Sequence, residues 1–481
     1  NGQNVTGKNR RKRLERLQES RRRRSEGMSG NRRSREKRIK RPPGNRKSGK
    51  KERQTERLNE ERHEMETDKE YMTQAGTVYT LIQPAVAKGG EGSIYQIEGQ
   101  PKLLAKIFSE KCRNTDKSRK IEAMMELAGI EQLRQQTTWP IAVLYENGIL
   151  AGYLMGKLEG YVSLGHIYSD SGTRMTYAEK VRVCQNICAA VNAVHEAGQI
   201  CGDLNPNNIM VNPENGMVRL VDTDSYHIIT DDRMYVYRCE VGMPDYLPPE
   251  LLVRLEGGKR FQELELPTFT VYSDRFALGV LIFALLMNGC HPFACAAADD
   301  DFDSVIPQVM ENIKNRQYYF ELENGQYLPP RYAPPIRMLT EEMRTLFSRC
   351  FVGTLDPSYT LQESDQETEL VSDGLEKARP TEADWYDALV TFRSVLVRCS
   401  ANSRHIYPDN KEGCPWCRLH SSVRQAVLGY QKTKITEIPS KKSEDEPVDE
   451  TSKNEEQNES WRLAAIITIT AIIILWIIWG M

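Results

Sequence analysis

"ICGDLNPNNIMV", residues 200–211, sets Asp203 and, five positions later, Asn208 inside a segment bounded by apolar residues. Asp and Asn serve turns well, because their side chains bond the neighbouring backbone. A second reading comes from "RLVDTDSY" (219–226), where an apolar run ends on Asp222, nineteen residues after Asp203. Asn208 and Asp222 offer hard oxygen ligands of the kind Mg²⁺ takes together with phosphate oxygens. Asp203 then remains to position or deprotonate a hydroxyl. Upstream, "KGGEGSIY" (88–95) is followed by Lys106, fourteen residues after Gly92, in "KLLAKIF" (102–108). Glycines let backbone N–H groups approach phosphates, and a strand-borne Lys neutralises them. Alone, such a stretch is also an ordinary hairpin turn.

The surrounding pattern predicts two lobes. "TVYTLIQPAVAKGGEGSIYQIEG" (77–99) alternates around its glycines and predicts two strands joined by a tight loop, with "KLLAKIF" as another strand. "YAEKVRVCQNICAAVNAVHEAG" (177–198) turns helical, with Val181, Cys184, Ile187, Cys188, Val191 and Val194 on one face. "RFALGVLIFALLMNG" (275–289) is apolar nearly all round and predicts a buried helix. Strands first and helices after mean an α+β arrangement.

At this point the chain resembles a eukaryotic-type Ser/Thr protein kinase of the bacterial kind, over residues from about 77 to 395. In "AKGGEGSIY", Gly89 and Gly92 match two glycines of the phosphate loop, and Ala87 replaces the first. Lys106 matches the phosphate-pairing Lys, Asp203 the catalytic-loop Asp, Asn208 and Asp222 the metal-binding pair. "VGMPDYLPPEL" (241–251) resembles the end of the activation segment, with Glu250 as its structural Glu. "YSDRFALGVLIF" (272–283) resembles the long buried helix of the large lobe, where Asp274 would hold the catalytic-loop backbone. "RPTEADW" (379–385) brings Arg379, which would pair with Glu250. The resemblance implies a bilobal kinase fold that binds ATP and Mg²⁺ and acts on a protein substrate. For the helix carboxylate that partners Lys106, "DKSRKIEAMMEL" (116–127) offers Glu122 or Glu126, and Glu122 is the expectation.

Departures from the family pattern qualify the chemistry. Cys201-Gly202 stands where His-Arg is usual, so no Arg awaits a phosphorylated activation loop. Asn205 replaces a Lys that steadies the transferring phosphoryl group, the Asp-Phe-Gly triplet reads Asp222-Thr223-Asp224, and Met243 replaces a Thr. These changes support an alternative: a pseudokinase, a nucleotide-binding scaffold with little or no phosphotransfer.

Beyond this domain (71–397) the composition changes. Residues 398–422 hold Cys399, His405, Cys414 and Cys417, the last two in a CPWC turn. Such a set closes a tetrahedral structural Zn²⁺ site. A CxxC redox pair and plain thiols are the rival readings, and His420 is a rival to His405 as ligand. The other cysteines sit singly in apolar context, which suits a reducing compartment.

The formal charge of −2 conceals a strong asymmetry. Residues 1–53 carry 22 Lys/Arg against 5 Asp/Glu, a net of +17, which leaves −19 for the remainder. Residues 1–70 are expected to be a disordered basic arm for anionic lipid or nucleic acid. Residues 423–460 read as an acidic linker. Residues 461–481, "WRLAAIITITAIIILWIIWGM", have an uncharged core from Leu463 to Trp479. As a helix that core extends about 26 Å, near the ~30 Å of a bilayer interior. A single-pass, tail-anchored protein of the cell membrane, with its kinase domain cytoplasmic, is the expectation.

Overall fold

A computed structural model of the chain describes residues 69–168, 175–230, 234–297, 308–318, 327–330, 333–353, 375–409 and 413–419. The expected basic arm up to residue 68, the acidic linker, the apolar C-terminal segment and His420 lie outside these residues. Among the described residues, no helix is long and apolar enough to cross a membrane.

The small lobe is a closed antiparallel barrel in the order β1-β2-β3-β4-β6-β5: β1 Lys69–Met72, β2 Val78–Lys88, β3 Gly92–Ile97, β4 Leu103–Phe108, β5 Ala142–Glu146 and β6 Ile149–Gly156. Its interior is a separate apolar cluster that includes Tyr71, Leu81, Ile97, Ile107, Leu144 and Leu154. The β2–β3 turn is the glycine-rich loop, closed by the Gly89 amide on the Gly92 carbonyl at 2.8 Å. Gly92 admits no side chain, because a Cβ there would collide with the Ile107 carbonyl oxygen on β4. Register places Lys106 of β4 between Ile94 of β3 and Tyr153 of β6. Helices α1 (Thr115–Glu126) and α2 (Glu131–Gln136) intervene between β4 and β5.

The large lobe is built on α3 (Tyr177–Glu196) and α5 (Val271–Leu286), with the short α4 (Pro249–Arg254) and α6 (Val309–Lys314), then α7 (Glu341–Phe351) and α8 (Glu382–Ser394). Thr176 caps α3 reciprocally with Glu179, satisfying two orphan amide donors of the first turn. The six residues that sequence periodicity set on one face of α3 are all buried. Helix α5 is buried on every side from Phe276 to Leu286, as its uniform apolarity predicts. Edge-on and tilted aromatics fill the space around it: Phe283–Phe347 centroids lie 5.1 Å apart, Tyr318–Phe351 5.0 Å and Phe347–Trp385 4.8 Å.

A three-stranded sheet, β7 Val162–Ser163, β8 Ile209–Val211 and β9 Val218–Leu220, carries the functional loops. Asn208 directly precedes β8, and Asp222 follows β9 by two residues. The β8–β9 pairing (Ile209 with Leu220) therefore brings together groups fourteen positions apart. Small ribbons β10–β11 (Ile228–Ile229, Val236–Tyr237) and β12–β13 (Ala296–Ala297, Tyr327–Leu328) follow, and β14–β15 (Leu396–Arg398, Ile406–Pro408) lies beyond α8.

Candidate functional site

The catalytic loop is held from beneath. Asp274, fully buried near the start of α5, accepts the amides of Cys201 at 2.7 Å and Gly202 at 2.9 Å, one on each carboxylate oxygen. Gly202 takes a left-handed φ of 77°, and a Cβ there would sit 2.8 Å from the Cys239 sulfur. The loop thus excludes a side chain where the family pattern has Arg. Glu250 accepts both arms of the buried Arg379 guanidinium, at 2.7 and 2.8 Å, as the resemblance implies.

Asp203 lies above this support. Its Oδ1 accepts the Met243 amide at 3.0 Å and its Oδ2 accepts the Asn208 side-chain amide at 3.0 Å. Burial raises its pKa, while the bonds from Asn205, Met243 and Asn208 oppose the rise. The negative charge of Asp222 adds to the rise, so the two carboxylates share one electrostatic environment. Asn205 does not reach outward. Its amide nitrogen donates to the Asp203 carbonyl at 3.1 Å, and its oxygen accepts the Asn207 amide at 2.9 Å. Met243 also contributes through its backbone, so the lost Thr side chain is not what orients Asp203.

Asp222 adopts a left-handed backbone, φ 59°, uncommon for a residue with a side chain. The Ser225 hydroxyl (2.7 Å) and amide (3.0 Å) both donate to its carbonyl and fix that turn. Lys106 Nζ pairs with Asp222 Oδ1 and with Asp224 Oδ1, each at 2.5 Å. Burial alone would lower the Lys106 pKa, but Asp224 and Asp222 outweigh it and hold the ammonium above its ordinary range.

The structure does not bring Glu122 to Lys106. Glu122 and Glu126 are both exposed on α1, and Glu122 faces Tyr145 electrostatically. The helix phase explains the correction. Ile121 and Met124 are buried, and positions 117, 120, 121 and 124 follow the i, i+3, i+4, i+7 spacing of one face. That face points Lys117 and Lys120 inward and turns Glu122 away. Lys117 pairs with Asp224 Oδ2 at 2.8 Å and with Glu91 of the glycine-rich loop at 2.7 Å. Asp224, completely buried, also accepts the Tyr153 hydroxyl at 2.8 Å. Its burial would raise its pKa, yet Lys106 and Lys117 keep the carboxyl well below the usual range. Lys120, buried beside Lys117, is lowered to about 8, first by burial and then by its neighbour's charge. Asp224 and Lys117 are functional candidates that motif reading passed over, although both lie in quoted stretches.

Residues 84–367 match the protein kinase domain family, more than half of the chain. The chain belongs to that family. It is 29% identical over 371 residues to the protein kinase YegI of Escherichia coli K12, covering 74% of this chain and 51% of that protein. Over 221 residues it is 23% identical to the mouse dual specificity protein kinase TTK, covering 45% of this chain and 25% of that protein. A cAMP-dependent protein kinase catalytic subunit-like protein of Caenorhabditis briggsae is 30% identical over 151 residues, covering 31% of this chain and 33% of that protein. The chain spans about half the length of the Escherichia coli relative. Within the matched region Gly89 and Gly92 close the β2–β3 turn, Lys106 of β4 pairs with Asp222, and Asp203 and Asn208 share the loop that precedes β8.

A second cluster lies beyond α8. One ligand atom from each of Cys399, His405, Cys414 and Cys417 lies within 4.8 Å of the others. The Cys399 and Cys417 sulfurs are 3.7 Å apart, and His405 Nδ1 stands 3.5 Å from Cys414 and 3.3 Å from Cys417. The Cys399 amide donates to the His405 carbonyl at 2.9 Å, and the Asn402 amide lies 3.2 Å from His405 Nε2. Trp416 donates to the Ile406 carbonyl at 2.8 Å and meets Tyr177 of α3 edge-on at 5.4 Å, docking the knuckle on the large lobe.

Proposed function

We propose that this chain is a membrane-tethered serine/threonine kinase that transfers the γ-phosphoryl group of ATP to protein hydroxyls. The observation that carries the reading is the convergence of Lys106, Asp222, Asp203 and Asn208 on one site, over a catalytic loop anchored by Asp274. The donor set suits Mg²⁺. Asn208 gives its amide nitrogen to Asp203, which leaves the amide oxygen uncommitted by that contact, and Lys106 uses one of the two Asp222 carboxylate oxygens. Asn208 and Asp222 would hold the metal. Mg·ATP, when bound, supplies the phosphoryl group together with a divalent charge on its oxygens.

The chain's own residues do the rest. Lys106, kept cationic by Asp224 and Asp222, is available to the nucleotide phosphates. The amides donated to Asp203 orient its carboxylate, and each oxygen keeps lone-pair capacity for a substrate hydroxyl. Burial raises its proton affinity, which favours acceptance of the hydroxyl proton. The alternative, a nucleotide-binding scaffold, rests on Asn205, whose side chain is spent on loop geometry and supplies no cation. Asp203→Asn should lower phosphotransfer at least 100-fold with nearly unchanged Mg·ATP affinity, whereas Asp222→Asn should weaken Mg·ATP binding. Wild-type turnover in both variants would end the kinase reading. A wild-type protein that binds Mg·ATP without transferring phosphate would favour the scaffold.

The Cys/His cluster is read as a structural zinc site. Tetrahedral Zn²⁺ with sulfur at ~2.3 Å and nitrogen at ~2.0–2.1 Å puts sulfurs about 3.8 Å apart and sulfur–nitrogen pairs about 3.5 Å apart. The observed 3.7, 3.5 and 3.3 Å separations support that geometry. The membrane tether is assigned to Leu463–Trp479 on apolarity and length, with the kinase domain on the cytoplasmic side and the basic arm near anionic lipid.

A further inference from the structure

Protein kinases assemble their phosphate site by pairing the strand Lys with a helix Glu. In this chain the polarity is reversed. The inward face of α1 presents Lys117 and Lys120, and its two candidate glutamates point outward. Lys106 meets two carboxylates, Asp222 and, two residues later, the fully buried Asp224. One buried carboxylate therefore joins two lysines, Lys106 of β4 on Oδ1 and Lys117 of α1 on Oδ2.

We propose that Asp224 and Lys117 are positioning residues for nucleotide binding: Asp224 replaces the helix glutamate, and Lys117 ties α1 to both Asp224 and the glycine-rich loop. Three observations converge on this assignment. Lys117 bridges two separate elements, reaching Glu91 at 2.7 Å in addition to Asp224, and its Nζ also donates to the Asp224 carbonyl at 3.3 Å. Its ammonium lies 4.9 Å from the Phe108 ring centroid at the end of β4, a cation–π contact that fixes its direction. Asp224 is further pinned by the Tyr153 hydroxyl from β6, so strand, helix and metal-side turn share one carboxylate.

The arrangement has a consequence that the usual pair lacks. Moving α1 away would break the Lys117 contacts to Asp224 and Glu91 at once, releasing the phosphate loop as well as the turn that carries Asp222. The position of α1 is thereby coupled to both walls of the phosphate site.

This inference rests on the reading of the site as a nucleotide site, and its test uses binding, which is measurable whether or not phosphate is transferred. Mg·ATP affinity would be measured by titration calorimetry on the full chain and on Lys117→Met, Lys117→Arg, Asp224→Asn, Glu122→Gln and Glu126→Gln. Lys117→Met and Asp224→Asn should each weaken binding at least 10-fold, Lys117→Arg should stay within about 3-fold, and the two Glu variants within 2-fold. If the wild type also turns over, the KM for ATP should rise in Lys117→Met while the KM for the protein acceptor stays constant. Unchanged affinity in Lys117→Met overturns the proposal, and so does a Glu122→Gln or Glu126→Gln loss matching that of Asp224→Asn. Should Asp224→Asn fail to fold, the Lys117 and Glu variants decide alone. A wild type that binds nucleotide and transfers nothing would sink the kinase activity but leave this pattern to be read.

Discussion

His195, at the last turn of α3, stands between two carboxylates. Its Nε2 lies 3.0 Å from Asp274 Oδ2 and its Nδ1 lies 3.0 Å from Glu382 Oε1. A ring with an acceptor on each nitrogen is satisfied only when both carry protons, so the buried imidazole is charged. Burial opposes that charge, but the bonds to Asp274 and Glu382 prevail and raise the pKa to about 9. The unfolded value is 6.5. A group whose folded pKa is raised contributes its full stability below the unfolded pKa and loses it as pH rises through the folded one. The difference of roughly 2.5 units, at 1.36 kcal/mol each, corresponds to about 3 kcal/mol below pH 6. Roughly 2 kcal/mol of this should vanish between pH 7 and pH 9.

His195→Gln isolates the effect. Urea unfolding of both proteins at pH 6, 7, 8 and 9 should show wild type more stable at the acid end, with the gap narrowing by about 2 kcal/mol from pH 7 to 9. Lys120 titrates in part of that window with the opposite sign. Its folded pKa is depressed to about 8, so stability is gained as pH rises from there toward the ordinary lysine value. That contribution is common to both proteins and cancels in the gap. Glu382, lowered to about 2 by His195 and Arg275 against its burial, loses its contribution only far below this range. A gap that stayed constant from pH 7 to 9 would mean that His195 is neutral in the fold and would refute the argument. The same histidine braces Asp274, because its Nε2 meets Oδ2, the oxygen that also accepts the Cys201 amide.

Two further outcomes test the outlying segments. Metal analysis should find about one zinc per chain and its loss in Cys414→Ser. Chelation should shift Trp416 fluorescence before the lobes unfold, since a structural zinc supplies on the order of 10 kcal/mol of local folding free energy; metal-free protein prepared anaerobically would remove the assignment. Deleting Leu463 to Met481 should move the protein from membrane to soluble fraction at moderate salt, because a basic arm alone binds reversibly and is screened; retention in high salt would assign the anchor elsewhere.

The parts legible in the sequence were those with local signals. The 3.6-residue rhythm of α3, the uniform apolarity of α5 and the glycine-bracketed strands each follow from a repeating contact with one core. Glu250 and Arg379 are 129 positions apart, and they were paired only through the family's motif order. The Lys106 partner escaped for two physical reasons. A carboxylate 118 positions away leaves no local pattern. The local clue pointed the other way, since the apolar phase of α1 already placed Glu122 outside. His195 escaped likewise, because its partners sit on α5 and α8, and neither lies near it in sequence.

The departures around the site form one electrostatic rearrangement. Where the family pattern carries Arg and Lys, this chain has Gly202 and Asn205. Neither residue is incidental, because Cys239 leaves no room for a side chain at 202 and Asn205 is engaged with its own loop. Across the site, α1 turns two cations inward, Lys117 and Lys120. Lys120 reaches the Arg238 carbonyl at 3.4 Å, linking α1 to the activation segment. Arg238 in turn donates to the carbonyls of Phe261, Gln262 and Leu264 at 2.9 to 3.0 Å. Main-chain carbonyls therefore hold Arg238, and the Lys120 contact ties that held segment to α1.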